Sequence, residues 1–248
     1  MSITVGNHNW VTNLRLNKPE KRNAFDSKMV AQLHEGIARA IEDPACRCLL
    51  IDSVGEHFCA GRDLQAFDNE LSHEELIAAD DVWANIFRML DEGDLPSVAV
   101  VRGCAFAGGF TLAMGCDFVL TDKTARFQAS EMRHNFPAAI NTPVLSKLLG
   151  PRLALELAIL GETISAERLY AMGLINRLVK DEQALAEEVE LFTNTIVARD
   201  KLAVGQTKRL HRATRQGGLS DALNMGALIN TQAALNGKFA SARKSLKK

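Results

Sequence analysis

Residues 102–117 read RGCAFAGGFTLAMGCD. They leave an apolar run at 97–101 (SVAVV), cross a turn holding Gly103, Gly108 and Gly109, and enter a helix-like stretch with no charge before Asp117. Glycine at a strand-to-helix turn lets the backbone approach a ligand closely. The amides that open a helix have no intrahelical acceptor and carry partial positive charge. Such a turn can hold a phosphate or stabilise an oxyanion. A second glycine-bearing turn, 57–64 (HFCAGRDL), follows another apolar run at 48–51. Two amides from separate turns can converge on one oxygen, and losing one such donor typically costs ~10²–10³ in rate. Gly103, Gly108 and Gly109 fit neither the G-x-G-x-x-G nor the P-loop pattern. Cys59 invites a nucleophile reading, but beside Ala60 and Gly61 it reads as a small packing residue. His57 reads as a solvated turn residue, and Asp117 as the cap or orienting group of the strand that follows.

Both turns need a scaffold, and the hydrophobic pattern supplies one. Residues 10–16 alternate apolar and polar like a half-buried strand. Asp26 or Ser27 can cap a helix with Met29, Val30, Leu33, Ile37 and Ile41 on one stripe. Strands are expected at 47–53, 97–102 and 118–121. Ser72 and Glu75 form a capping box for a helix reaching Glu92. This alternation predicts an α/β core. From Asn141 the pattern turns mostly helical: 141–149, then a helix with Pro151 in its first turn. A strand at 175–179 and helices near 181–200, 202–216 and 219–236 follow, the last two punctuated by Gly217-Gly218. Residues 1–195 read as the core and 196–248 as a helical appendage. Ala222, Met225, Ile229 and Ala233 form a stripe that needs a partner, in its own core or in a neighbouring subunit.

The chain has 248 residues, 47% hydrophobic and 24% charged, with a net charge of −1. That balance fits a globular protein and argues against a broad nucleic-acid or anionic-membrane surface. Lys238, Arg243, Lys244, Lys247 and Lys248 gather at the C-terminus and read as a solvated tail. No signal peptide or membrane span is visible. Five cysteines, an odd number, read as free buried thiols, with Cys46 and Cys48 sharing one face of a strand. No Cys/His spacing suits zinc. A cytoplasmic, metal-free protein is expected.

Several ordered motifs together resemble the enoyl-CoA hydratase/isomerase (crotonase) superfamily over nearly the whole length. They are NKPEKRNAF at 17–25, FCAGRDL at 58–64, the 102–117 stretch, ARF at 125–127 with Ser130-Glu131, and LGETISAERLYAMGL at 160–174. The resemblance implies a spiral of ββα repeats and C-terminal helices that build a homotrimer or hexamer. It implies an acyl-CoA thioester as substrate and no separate cofactor, coenzyme A entering as part of that substrate. The oxyanion amides would come from Ala60 and Gly108. Lys21, Arg22, Asp63 and Leu64 would border the CoA moiety, the last two largely through backbone groups.

Hydratases of the family use two glutamates. One position is Glu131; the other is Thr111 here, which cannot act as a carboxylate base, though its hydroxyl could position a water or a substrate group by hydrogen bonding. General acid–base catalysis contributes roughly 10²–10⁴ per group, so this departure changes the expected chemistry. A single carboxylate suits taking a proton at one carbon and returning it at another, which is double-bond isomerisation. Hydration by Glu131 alone, or an inactive binding member, are the alternatives. The run from Glu131 to Pro137 is one residue shorter than is common, and Arg102 replaces a usual asparagine. His134 and Asn135 can line the acyl pocket, while Trp83, Phe87, Phe106, Phe110 and Phe136 read as pocket walls or as core.

Overall fold

The computed structural model describes residues 1–65 and 72–245. They form two compact units, Met1–Arg199 and the segment from Asp200 onward. Lys247 and Lys248 lie outside the described residues.

In the first unit, β1 (Ile3–His8) and β2 (Val11–Leu16) pair antiparallel. The hairpin reverses at Asn9 and Trp10, both at positive φ (46° and 68°), the backbone of a turn whose twist suits a hairpin. β1 has no counterpart in the sequence reading because only Ile3 of its six residues is buried, leaving no alternation to read. α1 (Ser27–Glu42) is capped by Asp26, whose side chain accepts from the Met29 N–H, and it buries the expected Met29, Val30, Leu33 and Ile37. β3 (Cys48–Ser53) follows, and α2 (His73–Glu92) opens with the Ser72–Glu75 capping box. Next come β4 (Ser97–Val101), β5 (Cys104–Phe106), α3 (Gly108–Gly115), β6 (Phe118–Asp122) and β7 (Arg126–Gln128). A 3₁₀ turn, Glu131–His134, leads to α4 (Asn141–Leu148), α5 (Pro151–Leu160), β8 (Ile164–Ser165), α6 (Ala166–Ala171), β9 (Arg177–Val179) and α7 (Glu182–Val197).

The larger sheet has the order β1-β2-β3-β4-β6-β9, parallel from β2 onward. A smaller sheet has the order β5-β7-β8, and Cys59 extends it through a parallel bridge to Ala105. The turns through β3, β4 and β6 therefore each lay a strand on the large sheet and a short strand or bridge on the small one before the next helix. This is the expected crotonase-like spiral. β5, β7 and β8 span three residues or fewer, too short for any period to show. Parallel strands buried on both faces read as continuous apolar runs, and β3 shows why. Leu49 and Ile51 join the main core, while Cys48 and Leu50 join a second cluster with Val98, Leu120 and Leu185 under α7. Cys46 belongs to the main core and Cys48 to the other cluster, so they do not share a face; Cys46 precedes the strand. All five cysteines are free and buried. Asp117 accepts from the Ser97 N–H and hydroxyl, each at 2.8 Å, tying the start of β6 to that of β4.

The second unit holds α8 (Lys201–Gln216), α9 (Leu219–Leu235) and α10 (Lys238–Ser245). On α9, Ala222 is buried and Met225, Ile229 and Ala233 are partly so, whereas Leu219, Leu223, Leu228 and Leu235 are exposed. Among the described residues no helix is long and apolar enough to cross a membrane, and no cluster of His, Cys, Asp and Glu is arranged to hold a metal.

Candidate functional site

The turn after β3 is fixed from two sides. Cys59 donates its N–H to the Cys104 carbonyl and accepts from the Phe106 N–H, at 3.0 and 2.9 Å. From the other side, the Ala60 N–H donates to the Arg22 carbonyl at 3.0 Å. Arg22 presents that carbonyl from a left-handed conformation, φ 51°. Fully buried Asn23 locks the same turn: its amide donates to the carbonyls of Val54 and His57 at 2.9 and 2.7 Å, and its oxygen accepts from the Lys18 N–H at 2.7 Å. The Ala60 amide is thus engaged within the chain, which corrects its assignment as an oxyanion donor. The next residues point elsewhere. Phe25 bridges Arg62, donating its N–H to the Gly61 carbonyl and accepting from the Asp63 N–H, both at 2.9 Å. A residue facing such a pair turns its own N–H to the opposite side, so the Arg62 N–H is directed away from Phe25.

Gly61 faces the second turn. A Cβ there would stand 2.8 Å from the Ala107 Cβ and 3.5 Å from the Gly108 nitrogen. Ala107 holds φ 46° and ψ −120°, a sparsely populated conformation for an L residue and a strain that persists only where surroundings enforce it. Its surroundings do so. The Ala107 N–H donates to the Gln128 carbonyl at 2.7 Å, and its carbonyl accepts from the Thr111 N–H at 3.0 Å, the Thr111 hydroxyl at 3.2 Å and the Asn141 amide at 3.1 Å. A trans peptide sets its C=O and N–H on opposite sides. With the Ala107 carbonyl held among those donors, the Gly108 N–H points the other way. It opens α3 and has no acceptor among the described residues. Both glycines here are sterically required: a Cβ on Gly108 would lie 2.5 Å from Phe25 Cζ, and one on Gly109 2.3 Å from the Cys59 carbonyl oxygen.

Glu131 begins the 3₁₀ turn and is partly buried. Its Oε1 accepts from Asn141 Nδ2 at 2.7 Å, while its buried Oε2 has no partner among the described residues. Burial pushes its carboxyl above the ordinary range, and hydrogen bonds from its own backbone and from Asn141, with the nearby His134, pull partly back. Thr111 is 1% exposed, and its hydroxyl returns to the helix backbone four residues earlier. Burial pushes the Cys59 thiol up to about 12, consistent with a packing role.

The pattern of the enoyl-CoA hydratase/isomerase family matches residues 6–236. The chain belongs to this family. A relative named putative enoyl-CoA hydratase from Thermus thermophilus is 31% identical over 217 residues, 87% of this chain and 85% of that protein. The 1,2-epoxyphenylacetyl-CoA isomerase of Escherichia coli is 31% identical, covering 80% of this chain and 77% of its own. Among solved structures, the enoyl-CoA hydratase of Mycobacterium smegmatis superimposes with a TM-score of 0.90 at 28% identity, covering 98% of this chain and 97% of that one.

Relative to the enoyl-CoA hydratase/isomerase motifs, the structure brings Gly108, Thr111 and Glu131 together through Ala107 and Asn141. Lys21 and Asp63 meet in an ion pair at 2.6 Å, beside the Arg22–Ala60 contact, and Leu64 is exposed on the same segment. His134 is exposed and its ring stacks with Phe136, centroids 6.1 Å apart. Phe25 stacks on Trp83 at 4.5 Å, and Trp83 meets Phe87 edge-on at 5.0 Å; this group borders Gly108. Phe110 packs against Phe127 in the core. Two residues of the site escaped sequence reasoning. Gln128 clamps the Ala107 N–H through its carbonyl. Asn141 joins Glu131 to the α3 turn. The signal for Asn141 was its polar type among Ala138, Ile140, Val144 and Leu145, but asparagine at a helix start ordinarily reads as a cap.

Proposed function

We propose that this protein moves protons on an acyl-CoA thioester through an enolate, with Glu131 as the single acid/base, and that its reaction is double-bond isomerisation. The thioester oxygen would rest on the Gly108 N–H and on an N–H of the facing turn, for which the direction of the Arg62 N–H speaks. Glu131 would take a proton from the carbon next to the carbonyl. The enolate charge would sit on the oxygen between the two amides. The protonated Glu131 would then return the proton at the far end of the shifted double bond and regain its charge. One proton leaves and one arrives, so no water or cofactor enters the balance. A base held above the ordinary carboxylate range is matched to work nearer neutrality.

The observation that carries this reading is the pairing of Glu131 with Thr111. One carboxylate is clamped beside the α3 turn, and at the second position the side chain is neutral, buried and bonded to backbone. Lys21, Arg22, Asp63 and Leu64 supply the rim on which the CoA portion would lie, with His134 on the acyl side. The exposed leucines of α9 support assembly into a homotrimer or hexamer. Hydration by Glu131 alone is the second reading, favoured by relatives named hydratases, such as the crotonyl-CoA hydratase of Syntrophomonas wolfei at 30% identity. Product analysis separates them. Incubation with 3-enoyl-CoA should give 2-enoyl-CoA without 3-hydroxyacyl-CoA, and substantial net hydration of crotonyl-CoA would overturn the isomerase assignment. Inactivity across acyl chain lengths would point to a binding protein.

A further inference from the structure

We propose that Asn141 is a positioning residue that ties the Glu131 carboxylate to the peptide carrying the Gly108 N–H, so that one buried amide aligns both halves of the machinery. The inference rests on the assignment of Glu131 and Gly108 made above. Asn141 is fully buried at the first position of α4. Its Nδ2 donates to Glu131 Oε1 at 2.7 Å and to the Ala107 carbonyl at 3.1 Å. Both neighbours are acceptors, so the nitrogen and not the oxygen of the amide must face them. Each of its two N–H bonds then has one task.

The second task reaches the oxyanion turn. The Ala107 carbonyl and the Gly108 N–H are two ends of one peptide group. Hydrogen bonds to the carbonyl polarise that peptide and strengthen its N–H as a donor, and they fix the plane in which the N–H lies. Thr111 supplies two of these bonds from within α3, whereas Asn141 supplies the third from a different helix and links it to the base. Among the described residues, the buried Asn141 Oδ1 has no hydrogen-bond partner. Buried unsatisfied polar atoms are few in native proteins, and each calls for an explanation. Here the orientation that serves Glu131 and Ala107 leaves the oxygen no acceptor role. A leucine of similar size would fill the space without that penalty, so packing alone does not account for the residue.

Among the described residues, few groups act on Glu131. Arg133 and His134 lie on its own turn. α5 packs against that turn and carries Arg152 and Glu156, the latter paired with Arg168 at 2.6 Å. From α4, the contact is the neutral amide of Asn141. An N–H bond to the ionised carboxylate favours its charged form, so removing it raises the Glu131 pKa.

The test compares Asn141→Leu and the isosteric Asn141→Asp with the full-length wild type. For Asn141→Leu, kcat should fall on the order of 10²-fold, more than KM changes, and the acid limb of the kcat/KM profile should move to higher pH. Asn141→Asp sets a second carboxyl beside Glu131 and should move that limb further. The Glu131 carboxyl is titrated in parallel by carbon-13 NMR with isotope-labelled glutamate, a readout independent of turnover. An upward shift of its titration in a folded variant supports the link. An unchanged Glu131 titration with an unchanged pH profile in either folded variant overturns it, even if thermal stability drops. If the NMR titration moves while the pH profile does not, the link stands and Glu131 is not the kinetic base, which separates failure of the functional reading from failure of this one.

Discussion

Adding one methyl group at Gly108 should disable the site. In Gly108→Ala the new Cβ would lie 2.5 Å from Phe25 Cζ, 2.6 Å from Phe25 Cε1 and 3.3 Å from Trp83 Cζ2. Ordinary carbon contacts are about 3.5–4.0 Å, so the Phe25 ring must retreat by roughly 1 Å. It has little room, because it stacks on Trp83 at 4.5 Å and both rings are buried. Overpacking of this kind costs about 1–3 kcal/mol. The damage also travels, since the Phe25 backbone bridges Arg62 in the opposite turn. Displacing a site by 1 Å costs about 10²-fold in rate. Chemical denaturation and steady-state turnover of acyl-CoA substrates measure both quantities. Phe25→Leu shortens the side chain that the methyl meets, so the pair Gly108→Ala and Phe25→Leu should show favourable coupling of about 1 kcal/mol in a double-mutant cycle. Wild-type kcat and stability in Gly108→Ala would refute the steric argument for this turn.

Three further outcomes follow from the same geometry. Glu131→Gln should be more stable than the wild type at alkaline pH, with the difference vanishing in acid. The native carboxyl titrates above its unfolded value, so its stabilising contribution is complete below the unfolded pKa and is lost as pH rises through the native one; thermal melts across pH read this directly. Thr111→Val removes a hydroxyl bonded to a carbonyl that keeps other donors, so stability should fall by about 0.5–1.5 kcal/mol while kcat stays within a few fold. Lys21→Ala should raise KM for CoA esters and leave kcat unchanged, with the effect shrinking at high salt, as steady-state titrations at two ionic strengths would show.

Local rules carried much of the fold. The Ser72–Glu75 box, the Asp26 cap and the apolar runs of β3 and β4 each report short-range physics, and all stand where expected. β1 was hidden because its residues are solvated, and β5, β7 and β8 because two or three residues show no period. At the site, residue type revealed which positions needed to be small but not which amides were already engaged. Ala60 meets the steric requirement, yet its N–H belongs to Arg22, a partner fixed by the left-handed backbone of Arg22 and the buried Asn23. That pairing is a long-range fact with no local signature. Asn141 was overlooked for the complementary reason. Its position at a helix start has a sufficient local explanation, and only the packed structure turns its amide inward to Glu131.

The most direct test is deuterium uptake at the carbon next to the thioester carbonyl, followed by NMR in heavy water with wild type and Glu131→Gln. The wild type should exchange that proton and shift the double bond, and Glu131→Gln should do neither while still binding the CoA ester. Undiminished exchange in Glu131→Gln would remove Glu131 from the mechanism and contradict the single-carboxylate account.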